Sequence, residues 1–229
     1  MGSKAERVRA RALLFDMDGV LLNSIPAVTR VWRQWAEEHG FDPAETVERA
    51  HGRPSLTTVM ELLPGADYAA ENRVIEQREL ADLAGVEPLP GASELLRSLP
   101  EGRWTIVTSA TRALAEVRLK AAGLKLPETM VTATDVKEGK PHPEPYLTAA
   151  AKLGFPASEC VVAEDVPAGV TAGKAAGARV IGIGSGSRVE GLRAAGADWV
   201  VEDLRRVRFA RMRDGWMELT TEEQGRVYL

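Results

Sequence analysis

The most constraining feature of this sequence is a series of short apolar segments separated by stretches with helical periodicity. These segments, which are rich in β-branched residues, lie at positions 12–15, 104–108, 130–133, 160–163 and 180–183. Short, uninterrupted apolar runs are typical of strands in a parallel sheet that helices cover on both faces. The sequence therefore predicts an α/β fold with a Rossmann-like doubly wound parallel sheet, in which all strand C-termini meet at one ligand-binding edge.

One long segment interrupts this alternation. Residues 25–86 contain helical patterns, at 25–39, 56–63 and 71–83, and no convincing strand. Residues 85–91, with Pro88 and Pro90, are expected to return the chain to the sheet. We predict a core domain formed by residues 1–24 and 87–229 and an inserted helical cap domain formed by residues 25–86. Because the insert follows the first strand, it is positioned to cover the ligand-binding edge.

Composition and charge exclude several classes of protein. With 229 residues, 45% of them hydrophobic, the chain can bury a full core, and its single cysteine, Cys160, rules out an internal disulfide. No apolar run approaches the roughly 20 residues of a membrane helix. A net charge of −4 argues against nucleic-acid binding. We expect a cytoplasmic protein without a targeting signal, a monomer or weak homodimer, with no nucleic-acid or membrane partner.

Two carboxylates follow the first predicted strand, at Asp16 and Asp18, with Gly19 permitting the turn. Side chains at i and i+2 beyond a strand end can both point into the crevice at the sheet edge. One carboxylate could then attack phosphorus to form an aspartyl phosphate, while the other protonates the leaving hydroxyl. A surface turn rich in aspartate and glycine is the alternative interpretation.

Polar residues also follow two other predicted strands. Ser109 and Ala110 precede a helix predicted near 112–122, where a hydroxyl and free backbone N–H groups form an anion site, although Ser109 also fits a simple N-cap. Lys140, framed by Gly139 and Pro141, supplies a point charge for phosphate oxygens. The alternative for Lys140 is an ordinary solvated lysine.

A second acidic pair, Glu164 and Asp165, follows the strand at 160–163. Carboxylates of Asp16, Asp165 and Glu164, with the backbone carbonyl near Asp18, would suit Mg²⁺, which would offset the repulsion between Asp16 and a phosphate dianion. Alone, this pair also fits an acidic helix N-terminus. Chemically matched residues at four strand ends favour one phosphate site over four unrelated surface features.

At this point the sequence resembles the haloacid dehalogenase-like superfamily, from about residue 13 to about residue 203. The segments DMDGVLLNS, IVTSAT, EGKPHPEPY and AEDVPAGV are similar to the four motifs of that superfamily. The resemblance implies that Asp16 is the nucleophile and Asp18 the general acid and base. It also implies that Ser109 and Lys140 bind phosphate, that Asp165 and Glu164 hold Mg²⁺, and that the helical insert is a cap.

Several branches of the superfamily have characteristic residues, and differences at these positions reduce the number of activities to consider. Dehalogenases lack the counterpart of Asp18, so its presence indicates a phosphatase or mutase. β-Phosphoglucomutases carry a cap histidine where this chain has Val28, which disfavours a mutase. Phosphonoacetaldehyde hydrolases use a cap lysine, whereas residues 25–89 contain none. Asn23 stands where many relatives carry an aspartate, and we make no prediction from this difference.

Three segments, HGR at 51–53, TSATR around Ser109 and TATDVKEGKPHPEPYL, are similar to the branch that contains glycerol-3-phosphatases and 2-deoxyglucose-6-phosphatases. This similarity implies that Arg53, and more weakly His51, reaches the substrate from the cap, the alternative being that both bond only within the cap. We predict a Mg²⁺-dependent phosphatase that hydrolyses a small phosphorylated metabolite, a sugar or polyol phosphate, through an aspartyl phosphate. A β-phosphoglucomutase-like phosphotransferase and a non-catalytic binding protein are the alternatives. The region after 203, with a hairpin predicted at 213–215, has no assigned role.

Overall fold

A computed structural model describes residues 5–50 and 53–222. Within these residues the strands are β1 (Ala5–Ala10), β2 (Ala12–Phe15), β3 (Leu22–Asn23), β4 (Glu87–Pro88), β5 (Trp104–Val107), β6 (Met130–Val131), β7 (Cys160–Glu164), β8 (Arg179–Ile183), β9 (Trp199–Val201), β10 (Val207–Arg213) and β11 (Trp216–Glu222). The helices are α1 (Ile25–His39), α2 (Pro43–Ala50), α3 (Ser55–Leu62), α4 (Tyr68–Ala81), α5 (Ala92–Ser98), α6 (Arg112–Ala121), α7 (Glu144–Lys152), α8 (Pro167–Ala175) and α9 (Arg188–Ala194).

Six strands form the central sheet in the order β6-β5-β2-β7-β8-β9, and every neighbouring pair is parallel. From β2 the chain builds the sheet outward through β5 and β6 on one side and through β7, β8 and β9 on the other. Ligands bind beyond the strand C-termini at such a switch point. The predicted doubly wound parallel sheet is confirmed, and its switch point lies at β2.

The central strand β2 is buried on both faces, because all four of its residues are apolar. Leu13 and Phe15 of β2 belong to one apolar cluster, while Ala12 and Leu14 belong to the other. This division follows from the two-residue period of a strand, which sends successive side chains to opposite faces. The buried strand fixes the position of the residues that follow it, beginning with Asp16.

Helices α1–α4, which we call the cap helices, lie between the paired strands β3 and β4. They enclose their own apolar cluster, which includes Trp32 and Trp35. The helices predicted at 56–63 and 71–83 correspond to α3 and α4, whereas α2 was not predicted because its sequence is mostly polar. Its first turn is capped by Asp42, whose Oδ1 accepts a hydrogen bond from the Glu45 N–H at 2.8 Å. The division into two domains at these boundaries stays a prediction.

The C-terminal region forms a second, antiparallel sheet in the order β1-β11-β10. The hairpin predicted at 213–215 is confirmed, since β10 and β11 meet at Asp214 and Gly215, which have φ of 51° and 76°. Two left-handed residues are typical of the tight turn that matches strand twist. Its pairing with the N-terminal strand β1 was not predicted. Among the described residues, no helix is both long and apolar enough to cross a membrane.

Candidate active site

The turn after β2 presents Asp16 and Asp18 at the edge of the sheet. The Asp16 N–H donates to the Ala163 carbonyl at 2.9 Å, which extends the pairing with β7 by one residue. Gly19 then adopts φ of 86°, and a Cβ at that position would lie 2.1 Å from Asp165 Oδ2. Only glycine tolerates both the conformation and the close approach. Gly19 thus allows the turn that holds Asp16 against the second acidic pair.

Lys140 joins the carboxylates that follow β2 and β7. Its Nζ lies 2.5 Å from Asp16 Oδ1 and 2.5 Å from Glu164 Oε1, and it donates to the Val107 carbonyl at 3.1 Å. The Lys140 side chain is only 5% exposed. Burial alone would lower the pKa of Lys140, but the Asp16 and Glu164 carboxylates outweigh it and raise that pKa. Lys140 is therefore a buried ammonium ion inside the predicted site.

Both carboxylate oxygens of Glu164 accept hydrogen bonds. Besides Lys140, the Tyr146 hydroxyl donates to Oε1 at 2.7 Å, and the N–H groups of Asp165 and Val166 donate to Oε2 at 3.0 and 3.4 Å. Gly169 makes room for this carboxylate, because a Cβ there would lie 1.8 Å from Oε1. Glu164 therefore orients Lys140, and its predicted role as a metal ligand stays a prediction. Tyr146 belongs to the segment EGKPHPEPY, but its contact with Glu164 was not predicted.

The carboxylates outnumber the cation in this buried cluster. Burial, with Glu164 and Asp165 nearby, raises the pKa of Asp16 well above its usual range, although Lys140 opposes the shift. Burial and the adjacent Glu164 raise the pKa of Asp165 to about 7. Arg188 Nη1 lies 3.7 Å from Asp165 Oδ2, but the Arg188 side chain is largely exposed. Three buried carboxyl groups facing Lys140 and this one exposed arginine would still carry an excess of negative charge if all were ionised. The cluster therefore needs either protons or a further cation.

The acidic cluster fits a divalent cation. Oxygens of Asp16, Glu164 and Asp165 all lie within 4.8 Å of one another. Asp165 Oδ1 is buried and has no hydrogen-bond partner in the part of the chain that the structure describes. An unpaired buried carboxylate oxygen is unfavourable unless a cation or donor satisfies it. Oxygen donors with an excess of negative charge are what a hard cation requires.

Asp18 contacts an arginine that sequence analysis did not predict. Arg118, on α6, places its Nη1 at 3.2 Å from Oδ1 and 3.3 Å from Oδ2 of Asp18. Its Nη2 lies 3.5 Å from Oε1 of Glu79, on cap helix α4. Asp18 and Arg118 are 100 residues apart in sequence and share no local pattern, so only the tertiary structure brings them together.

Ser109 lies on the wall of the cavity, beyond β5. The N-cap of α6 is Thr111, whose Oγ1 accepts from the Leu114 N–H at 3.4 Å, so the simple N-cap interpretation of Ser109 is wrong. The Ala110 N–H donates to Thr108 Oγ1 at 3.1 Å within the same loop. Thr108, Ser109, Ala110 and Thr111 all line the cavity, and the predicted contacts of Ser109 and Ala110 with phosphate stay predictions.

Arg53 lies on the cap side of the cavity and bonds to a neighbour in the cap. Its Nη1 and Nη2 donate to the two Glu61 carboxylate oxygens at 3.0 and 2.6 Å, and its side chain is 39% exposed. In this structure Arg53 therefore hydrogen-bonds within the cap, as the alternative interpretation expects. Arg53 also lines the cavity. His51 lies outside the described residues.

A cavity of about 440 Å³ separates the sheet edge from the cap helices. Asp16, Ser109 and Lys140 lie at its core end. The cap side carries polar groups, among them Ser55, whose Oγ donates to Asn72 Oδ1 at 2.6 Å, and the acidic residue Glu76. Val28 and Trp32 contribute apolar surface to the same wall. The cavity thus has one end suited to an anion and one suited to hydroxyl groups.

The crevice between a doubly wound sheet and covering helices is where enzymes of the α/β class bind small substrates, so this fold and cavity define an α/β enzyme. The sequence profile described as haloacid dehalogenase-like hydrolase matches residues 10–177, and the chain belongs to that family. The resemblance drawn from the four segments is confirmed.

Several curated relatives are similar over most of their length. Hexitol phosphatase A of Escherichia coli is 45% identical over 77% of this chain and 84% of its own length. Glycerol-1-phosphate phosphohydrolase 2 of Saccharomyces cerevisiae is 35% identical over 90% of this chain and 87% of its own. The 2-deoxyglucose-6-phosphate phosphatase 2 of the same yeast is 37% identical over 85% and 88%. The prediction that the chain is a phosphatase, a phosphoric monoester hydrolase, is confirmed.

A solved β-phosphoglucomutase from Clostridium difficile superimposes with a TM-score of 0.76 and 21% identity, covering 87% of this chain and 94% of its own. At this identity the likeness shows the shared fold alone.

Proposed function

We propose that this phosphatase is Mg²⁺-dependent and hydrolyses a small sugar or polyol phosphate through an aspartyl phosphate on Asp16. The observation that carries the proposal is the contact between Asp16 and Lys140 at the core end of the cavity. A buried lysine at 2.5 Å holds one oxygen of the Asp16 carboxylate in place beside the phosphate end. A carboxylate fixed in this way is suited to attack rather than to solvation.

In the first half-reaction, a carboxylate oxygen of Asp16 forms a bond to phosphorus as the bond between phosphorus and the substrate oxygen breaks. Asp18 gives its proton to that leaving oxygen, which departs as an alcohol. In the second half-reaction, Asp18 takes a proton from water as the water oxygen attacks phosphorus, and the bond to Asp16 breaks. Inorganic phosphate leaves, and Asp16 and Asp18 return to their initial states.

Lys140 and Ser109 are proposed to bind the phosphate oxygens during both half-reactions. The Lys140 ammonium also remains bonded to Glu164, so its position does not depend on the substrate. A preorganised cation of this kind stabilises the charge that develops on the transferring phosphoryl group. The ends of β2, β5 and β7 therefore act together at one phosphorus atom.

Asp16 and Asp165 are the residues proposed to hold Mg²⁺, with Glu164 and the Asp18 carbonyl as further candidates. A bound Mg²⁺ supplies positive charge that reduces the repulsion between the Asp16 carboxylate and a phosphate dianion. Asp165 Oδ1, which is buried and lacks a partner within residues 5–50 and 53–222, supports this assignment.

The cap side of the cavity supports a hydroxyl-rich leaving group. Ser55, Asn72 and Glu76 place a hydroxyl, an amide and a carboxylate along one wall, and such groups hydrogen-bond to polyols. Relatives named for hexitol, glycerol phosphate and deoxyglucose phosphate support the same class. Arg53 is proposed to reach the substrate by exchanging its bond with Glu61. His51 stays a candidate for substrate contact.

The β-phosphoglucomutase-like alternative is disfavoured at the position of Val28. A mutase must pass the phosphoryl group to a second sugar hydroxyl, and an apolar valine on the cavity wall offers no group that could accept or donate a proton there. Water is therefore the proposed final acceptor. The cytoplasmic location and the monomer or weak homodimer stay predictions.

A panel of hexitol, glycerol, hexose and pentose phosphates, assayed with Mg²⁺ and with EDTA, tests the proposal. Phosphorus NMR of the products separates free phosphate from a transferred phosphoryl group. We expect Mg²⁺-dependent release of inorganic phosphate from at least one polyol or sugar phosphate. An isomeric phosphate ester as product, or equal rates with EDTA, would overturn the assignment.

A further inference from the structure

The buried guanidinium of Arg118 lies beside the proposed acid and base, Asp18. The Arg118 side chain is 5% exposed, and its Nη1 contacts both oxygens of the Asp18 carboxylate, at 3.2 and 3.3 Å. In the part of the chain that the structure describes, no other side chain donates a hydrogen bond to this carboxylate. The Asp18 side chain is itself 29% exposed, so the buried arginine is the anchored member of this charge-assisted contact. Asp18 therefore has a single fixed partner.

The same guanidinium faces a carboxylate from the cap helices. Glu79, on α4, lies 3.5 Å from Arg118 Nη2, and its side chain is 9% exposed. Helix α4 contacts α6 a second time, where the Thr111 hydroxyl donates to Glu76. Arg118 is thus the point where a core helix, a cap helix and the catalytic turn meet.

A purely structural ion pair does not account for the bonding of Arg118. Its Nε and Nη2 are buried, and neither donates a hydrogen bond within the described residues, although Nη2 faces Glu79 Oε1 at ion-pair distance. A guanidinium retained only for stability would be expected to have its donors satisfied. Within the described residues, the Arg118 side chain donates hydrogen bonds to Asp18 alone, through Nη1. Both residues line the cavity.

We propose that Arg118 is a positioning residue that holds the Asp18 carboxyl toward the leaving-group oxygen, and that Glu79 fixes Arg118 from the cap. This inference rests on the proposed function, in which Asp18 protonates the leaving oxygen. It predicts that loss of Arg118 impairs the reaction in proportion to how much the leaving group needs a proton. A role in stability alone would affect all substrates equally.

Two aryl phosphates test this assignment, because they differ in their need for protonation. Phenyl phosphate has a basic leaving oxygen, whereas 2,4-dinitrophenyl phosphate leaves as a stable anion. The quantity to compare is kcat/KM, which covers the steps through the first phosphoryl transfer. Arg118→Met should lower kcat/KM for phenyl phosphate by about 100-fold, the lower end of general acid catalysis, and for the dinitrophenyl ester by less than about 10-fold.

Further variants keep the test informative. Arg118→Lys retains the charge but has a different geometry, and should show the same selective loss to a smaller degree. Glu79→Gln keeps the shape of the side chain. It should also lower the ratio of kcat/KM for phenyl phosphate to kcat/KM for the dinitrophenyl ester. Lys120→Met removes a cation from an exposed position on the same helix and should leave the ratio unchanged.

The inference and the proposed function fail in different ways. Asp18→Asn should reproduce the selective loss to a larger extent, and if its ratio is unchanged, the proposed acid role itself fails. If Asp18→Asn changes the ratio but Arg118→Met and Arg118→Lys do not, or if they raise the rate with phenyl phosphate, the positioning role is overturned. An unchanged ratio in Glu79→Gln would remove the cap residue from the account.

Discussion

Lys140 and Asp16 form a buried ion pair with Nζ and Oδ1 2.5 Å apart, although they lie 124 residues apart in sequence. The pair joins the turn after the central strand β2 to the loop before α7. Both side chains are nearly inaccessible, with exposures of 5% and 11%. This pair determines both the charge and the position of the proposed nucleophile.

Replacing Lys140 should impair both activity and stability. Lys140→Met leaves Asp16 and Glu164 without their shared cation, and removing one partner of a buried pair costs about 3 kcal/mol or more. We expect urea unfolding at pH 8 to show this loss, and phosphatase activity to fall at least about 100-fold. Lys125→Met, which removes a lysine paired with Glu101 at the surface, should change the free energy of unfolding by less than about 1 kcal/mol. Equal effects of the two variants would contradict the assignment.

Mg²⁺ should stabilise the folded protein more strongly as the pH rises. The pKa of Asp165 is raised to about 7, mainly by burial, so protons compete with the cation below that pH. At 100 times its Kd, a ligand that binds only the folded state adds about 2.7 kcal/mol. Thermal unfolding should therefore show a larger rise in Tm with Mg²⁺ at pH 8 than at pH 5.5. The rise should be lost in Asp165→Asn, and its persistence there would place the cation elsewhere.

Glu79 should make stability depend on pH between its unfolded and folded pKa values. Burial is the main cause that raises the pKa of Glu79 from 4.5 to about 7, against the opposing effect of Arg118. A carboxyl with a raised pKa binds its proton more tightly in the folded state. Its contribution to stability is complete below pH 4.5 and is lost as the pH rises to about 7.

The matching variant is Glu79→Gln, which cannot ionise. The difference in free energy of unfolding between Glu79→Gln and the natural sequence should shift in favour of the variant by up to about 3 kcal/mol from pH 4.5 to pH 8. Urea titrations at several pH values measure this shift. Glu61→Gln, at an exposed position, should show no comparable rise. A flat difference for Glu79→Gln would mean that the pKa of Glu79 is the same in the folded and unfolded states.

A methyl group at Gly169 should displace the carboxylate that orients Lys140. The Cβ of Gly169→Ala would lie 1.8 Å from Glu164 Oε1, so the Glu164 side chain must move. We expect a loss of stability of about 2 kcal/mol and a large loss of activity. Gly191→Ala is the matched control in helix α9, since its Cβ would lie no closer than 3.6 Å to Pro167 and should stabilise the helix slightly. Full activity in Gly169→Ala would show that Glu164 does not need its present position.

Local sequence patterns predicted five of the six central strands, because burial on both faces requires short apolar runs. Strand β9, which has only three residues, was not predicted. Asp16, Ser109, Lys140 and Asp165 could be placed together because each follows or is linked to one of those strands, and parallel strands end at one edge. The same reasoning could not predict the position of Arg118, because this residue lies within a helix and does not follow a strand. That residue is brought to the site by the packing of α6, and no residue next to it in the sequence indicates its partner.

Two other features show the same limit. Tyr146 and Glu164 are linked by a hydrogen bond that depends on how α7 packs against the sheet, which local periodicity does not specify. Strand β1 pairs with β11 across the length of the chain, so the hairpin could be predicted from its turn residues but its partner strand could not. Long-range pairing follows from the tertiary fold rather than from local propensity.

Rapid acid quenching during turnover would trap the phosphoryl group on Asp16, where it is proposed to reside between the two half-reactions. The enzyme is mixed with Mg²⁺ and a substrate found in the phosphate panel, quenched, digested and mapped by mass spectrometry. We predict a phosphorylated peptide that contains Asp16. Folded Asp16→Asn should show neither this phosphopeptide nor phosphatase activity. Turnover with no phosphopeptide, a phosphoryl group on another residue, or full activity in Asp16→Asn would contradict the account.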